Sequence, residues 1–139
     1  MKAKLSTAFL ISISAFALLA AQSPAQSQKP VPYRGKSDQS RPIQFSTSQN
    51  QITLIRFKVK MLCRDGSLLS GDASDFEASA LRANGAFADV QHGNTDTVAF
   101  KGRVKGNQLK GTLRVKDRLK SGVRCDSGPV SFTAKRAGG

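Results

Sequence analysis

Tryptophan is missing from this 139-residue chain, histidine and tyrosine occur once each, and cysteine only twice. Acidic residues are scarce too, 9 against 22 Lys and Arg. These shortages exclude several chemistries. A zinc site needs more Cys and His ligands than the chain can assemble. His92 in "DVQHGNTD" is the one candidate general base, with Asp89 and Asp96 near it in sequence. No motif places a nucleophile beside it, so it reads as a surface loop residue. The carboxylates of "RDGSLLSGDASDFE" (Asp65, Asp72, Asp75 and Glu77) do not follow the ligand spacing of a calcium loop and read as solvated turn groups. A phosphate-cradling glycine loop and a dinucleotide fingerprint are both absent. No enzymatic chemistry, cofactor or metal is expected.

Long apolar runs are also lacking, except at the amino terminus. There Lys2 and Lys4 precede an apolar stretch from about Leu5 to Ala21, and small residues follow. This order describes a secretory signal peptide. Ser6, Thr7, Ser12 and Ser14 interrupt the run, which falls short of the ~20 apolar residues a membrane span requires. Cleavage after Ala21 or Ala25 fits the small residues, and without a Cys near either position no lipid anchor is expected. The sequence thus divides into a signal peptide (1–25), a flexible leader rich in Pro, Ser and Gln (26–44), a β domain (45–136) and a short tail (137–139). The mature protein is expected to be secreted or periplasmic, without a transmembrane segment.

An oxidising compartment suits Cys63 and Cys125, which allow a single intramolecular pairing. The alternatives are a reactive thiol or a metal site, and the latter lacks further ligands. A disulfide closing roughly 62 residues would stabilise the fold by about 4 kcal/mol, comparable to the whole stability of many small domains.

Period-two alternation dominates the rest. "ITLIRFKVKMLC" places Ile55, Phe57, Val59, Met61 and Cys63 on one face and Arg56, Lys58 and Lys60 on the other. "TVAFKGRVK" and "QLKGTLRVK" flank a Gly106-Asn107 hairpin turn. With Lys105 opposite Gln108, Val104 meets Leu109, Gly102 meets Gly111, Phe100 meets Leu113 and Val98 meets Val115. A slip of one residue would break both alternations. Around "ALRANGAFADV", a three-residue loop with Gly85 in the left-handed region would put Leu81 and Phe87 on one face. The closing "GPVSFTAKR" alternates again. The expected fold is all-β: a small antiparallel β-sandwich or partly closed barrel of six to eight strands with one disulfide.

Four motifs in order, "CRDG", "NGAF", "FKGRVKGNQLKGTLR" and "CDSGPVSFTAKR", resemble a family of small bacterial secreted β domains, mostly uncharacterised. The resemblance covers roughly Ile52 to Arg136. It implies a β-sandwich with a cysteine pair and brings no catalytic residues. Such domains often carry Trp near the position of Phe132, where this chain departs from the pattern.

What is abundant is positive charge. Without Lys2 and Lys4 the chain keeps 20 Lys and Arg against 9 acids, a net of +11. Alternation sends Arg56, Lys58 and Lys60 outward from one strand, Lys101, Arg103 and Lys105 from a second, and Lys110, Arg114 and Lys116 from a third. In water, unit charges at 5–7 Å repel by roughly 0.6–0.8 kcal/mol before screening, and like charges opposite one another weaken a sheet. A polyanion would turn that repulsion into attraction. The expected partner is an anionic envelope polymer, a membrane surface, nucleic acid or an acidic protein, met by non-specific charge contact. An inert structural or protein-interaction domain is the alternative, because exposed Lys also guards strand edges and keeps a protein soluble. A third reading is a small-ligand barrel, with Gly102 and Gly111 making interior room.

Overall fold

Polar and apolar side chains alternate along most of the chain, and the backbone follows as strand. The computed structural model describes residues 28–138, in which ten strands and no helix form. They are β1 (Val31–Ser37), β2 (Pro42–Ser48), β3 (Gln51–Cys63), β4 (Leu68–Ser74), β5 (Ala78–Ala80), β6 (Ala86–His92), β7 (Asp96–Lys105), β8 (Gln108–Arg118), β9 (Arg124–Asp126) and β10 (Val130–Arg136). The signal-like segment at 1–25 lies outside the described residues.

All pairings are antiparallel. β10, β1, β2, β3, β9 and β8 form a closed hydrogen-bonded circuit, because β10 also pairs with β8. Of the two architectures expected, the barrel is the one realised. β7 and β6 continue the sheet beyond β8, while β4 and β5 line the other edge of β3. Between β5 and β6 side chains make the junction. Ser79 Oγ donates to Asp89, and Gln91 both accepts from Glu77 N and donates to Glu77 O, each at 2.9 Å.

The stretch 26–44 is not a flexible leader where it is described. "VPYRGKS" forms β1 and "PIQFSTS" forms β2. Composition misleads here, because two Pro, Ser and Gln obscure a period of two in which Tyr33, Ile43 and Phe45 enter the core. Pro32 and Pro42 face outward.

β3 also departs from simple alternation. Gln44 pairs with Arg56 but Phe45 with Leu54, which leaves Ile55 as an extra, bulged residue. Ile55 is therefore 41% exposed rather than inward. The bulge shifts the parity, so that Ile52 and Leu54 before it, and Phe57, Val59, Met61 and Cys63 after it, all point into the core.

The β7–β8 hairpin has the register read from the sequence, from Asp96↔Asp117 to Lys105↔Gln108. Gly106 at the first central position has φ 58°, the conformation this turn needs there. Gly85 has φ 80°, and Arg82 N donates to Ala86 O across the three-residue loop. Past that loop β5 leaves to pair with β3, so no β5–β6 ladder follows.

Phenylalanines fill the interior. Phe45 packs against Phe132, Phe87 and Phe100 with ring centroids 5.0, 6.0 and 6.3 Å apart, tilted or edge-on geometries that aromatic pairs prefer. Gly102 and Gly111 make room for rings, not for a ligand. A Cβ at Gly102 would lie 2.8 Å from the Phe87 ring tip, and one at Gly111 would lie 2.8 Å from that of Phe132. Cys63 and Cys125 are opposite one another on β3 and β9 and form the disulfide.

Candidate anion-binding face

The outward residues of a sheet can be followed strand to strand through the register. One row runs Arg103 (β7), Lys110 (β8), Thr133 (β10), Lys36 (β1). The next runs Lys105, Gln108, Lys135, Arg34 over the same strands. A third begins Lys101, Thr112, Ser131. Between these rows Leu109, Phe132 and Ala134 are buried, which fixes the cations on the outer surface. Seven cations thus share four adjacent strands: Arg34, Lys36, Lys101, Arg103, Lys105, Lys110 and Lys135. At ~4.8 Å per strand and ~7 Å per two residues, the patch measures about 14 Å in each direction. All seven are exposed. Among the described residues, the cations with a carboxylate partner are Arg56, Lys58 and Arg114, none of them in the patch. Asp38 stands at one rim, where it accepts from Ser131 N.

Of the nine cations singled out by sequence, the fold brings four together here: Lys101, Arg103, Lys105 and Lys110. The Arg56 strand is set apart from them, by β2 between β3 and β1 on one way round the barrel, where Gln44 stands between Arg34 and Arg56, and by β9 between β3 and β8 on the other. Its charge is also met locally. Arg56 makes a two-pronged contact with Asp72 on β4 at 2.8 and 3.2 Å, and Lys58 Nζ lies 4.0 Å from the same carboxylate. The Arg56 hydrogen bonds hold Asp72 below the usual carboxylate range and raise the guanidinium in turn. Asp72 is thus a strand residue bound to cations, not a solvated turn group. Lys60 is exposed on β3, its backbone strapped on both sides by the Gln39 amide.

Arg114 is likewise occupied. It grips Asp126 through Nε at 2.9 Å and Nη2 at 2.6 Å, and these bonds lower the Asp126 pKa. Lys116 lies across from Asp126 at the disulfide end.

Three patch members, Arg34, Lys36 and Lys135, were outside the predicted set. The signal for the first two was the alternation of "VPYRGKS", and for Lys135 the outward parity of "VSFTAKR".

The other candidates are surface groups. His92 is exposed at the end of β6, with Nδ1 3.2 Å from Thr97 Oγ1. Asp65 accepts from Ser67 Oγ and N, which depress its pKa, as in an ordinary turn. Among the described residues no three His, Cys, Asp or Glu groups converge on a metal position, and no helix is long and apolar enough to cross a membrane. No protein-family model matches the chain, and no curated protein or solved structure is detectably similar to it.

Proposed function

We propose that the protein is an exported, non-enzymatic binding module whose β7–β8–β10–β1 face contacts an anionic polymer or surface by charge. The observation that carries this reading is seven neighbouring cations without a carboxylate partner among the described residues. Edge protection does not account for them. All four strands of the patch are paired on both sides, whereas the edge elements β4, β5 and β6 contain no Lys or Arg at all. The signal-like amino terminus and the disulfide support export, which directs the reading to envelope polymers, lipid headgroups, extracellular nucleic acid or acidic proteins. Non-specific contact is favoured over base recognition. Tyr33 and most phenylalanines are buried, and the half-buried Phe76 stacks on Phe57, so the patch offers no aromatic platform.

The test is titration with heparin, duplex DNA and anionic vesicles over a salt series. With about six phosphate contacts, log K for duplex should fall against log salt with a slope near −5. Absence of binding to all three at about 50 mM salt would remove the proposal.

A further inference from the structure

A second outward surface lies at the disulfide end of the barrel. Arg118 stands there, about 27 Å along β8 from Lys110 at strand spacing, and so apart from the face described above. One row of this surface runs Lys116 (β8), Asp126 (β9), Leu62 (β3), Leu68 (β4). The next row, nearer the barrel end, runs Arg118, Arg124, Arg64. Arg118 and Arg124 are register partners, and Arg64 N donates to Arg124 O at 2.9 Å. Between the rows Cys63 and Cys125 are buried. Asp117 pairs with Cys125 and shares that inward parity, so its carboxylate takes no part in the surface.

Two features of this surface gain nothing from the fold itself. Leu62 and Leu68 are 59% and 75% exposed, more than any other large apolar side chain described. They are also directly opposite one another on paired strands, so they form one apolar spot. A lone exposed Leu is ordinary, whereas an apolar spot with a polar rim marks a contact surface. The second feature is the arginine row, whose like charges repel. None of the three has a carboxylate partner among the described residues. Nearby acids are engaged elsewhere: Asp126 with Arg114 and Gly128 N, and Asp65 with Ser67 of its own turn. Lys60 and Arg64 flank Leu62 along β3, which puts cations on both sides of the apolar spot. A soluble polyanion would satisfy the arginines and leave both leucines in water. An uncharged apolar partner would do the reverse. Anionic headgroups above hydrocarbon match both.

We propose that this end of the barrel docks on an anionic lipid bilayer. Leu62 and Leu68 enter the boundary between headgroups and acyl chains, while Arg64, Arg118 and Arg124 meet lipid phosphates. The surface is independent of the polyanion face.

The chain contains no Trp, so Leu68→Trp introduces a single fluorescent reporter at an exposed position. The experiment adds vesicles of equal parts phosphatidylglycerol and phosphatidylcholine to the intact disulfide-bonded protein. The Leu68→Trp emission should shift to the blue and be quenched by brominated acyl chains. Vesicles of phosphatidylcholine alone should leave it unmoved, and so should anionic vesicles the emission of Ile55→Trp. By co-sedimentation, Leu62→Ser/Leu68→Ser should weaken vesicle binding at least tenfold and leave heparin binding unchanged. Arg118→Gln/Arg124→Gln should weaken it about fivefold for each charge removed. Arg103→Glu/Lys110→Glu should keep the blue shift at saturating vesicles even where it abolishes heparin binding, so that the polyanion face can fail while this surface stands. The proposal is overturned if the Leu68→Trp emission stays unmoved at saturating anionic vesicles, or if Ile55→Trp shifts equally. It is overturned too if the serine pair binds vesicles as tightly as wild type, which would leave charge alone at work. A blue shift that grows with protein concentration in the absence of lipid would assign the surface to a second copy of the chain instead.

Discussion

Two basic regions of this barrel were built from the same alternating pattern and ended in opposite electrostatic states. On β3, Arg56 and Lys58 face Asp72 across the β3–β4 ladder. On β7, β8, β10 and β1, Arg103 faces Lys110 and Lys135 faces Arg34. The first arrangement is self-contained, since each cation has a neighbour of opposite sign. The second holds like charges opposite one another and gains from an external anion. Alternation sets which side a lysine leaves from. The strand that pairs next decides whether it is compensated.

The comparison can be broken at several levels. The largest effect is expected from Cys63→Ser/Cys125→Ser, because the disulfide joins β3 to β9 and, through it, to β8. Calorimetry should find about 4 kcal/mol less stability. Next, Arg103→Glu/Lys110→Glu should weaken heparin binding at least tenfold at low salt and flatten the salt slope. Arg56→Gln/Lys58→Gln should leave both within about twofold, because those cations are already paired.

A smaller change would convert one region towards the other. Asp72→Asn removes the carboxylate shared by Arg56 and Lys58, and heparin affinity should rise about two- to threefold with a steeper salt slope. Acid should do the same reversibly. Asp72 and Asp126 have folded pKa values below the ordinary value of about 3.9. Their stabilisation is therefore present above that value and is lost as pH falls through the lower folded one. Heparin stays ionised there, so binding should strengthen below about pH 4 while Asp72→Asn responds less. An affinity unchanged as pH falls through the folded pKa values of Asp72 and Asp126 would show that Arg56, Lys58 and Arg114 are not released.

Much of this was legible in the sequence because strand parity is a local property. The Lys105↔Gln108 register followed from two alternations that had to agree, and the cysteine pairing from having only one option. Three features were not legible. β1 and β2 were obscured by a composition that resembles a disordered leader, although the period of "VPYRGKS" was present throughout. Which strands adjoin is a long-range matter: Lys135 meets Arg34 only because β10 pairs with β1. And the inward parity of β3 changes halfway along, for a reason that lies in β2 as much as in β3 itself.

That last feature has a genetic corollary. At position 55 the side chain is half free in solvent, so its chemical identity should matter little. Its removal should be tolerated as well, since without it Leu54, Arg56 and Phe57 follow one another in plain alternation and keep Phe45, Gln44 and Ile43 as partners. The site tolerates substitution and the loss of one residue, because the extra residue is what the ladder already has to bulge around.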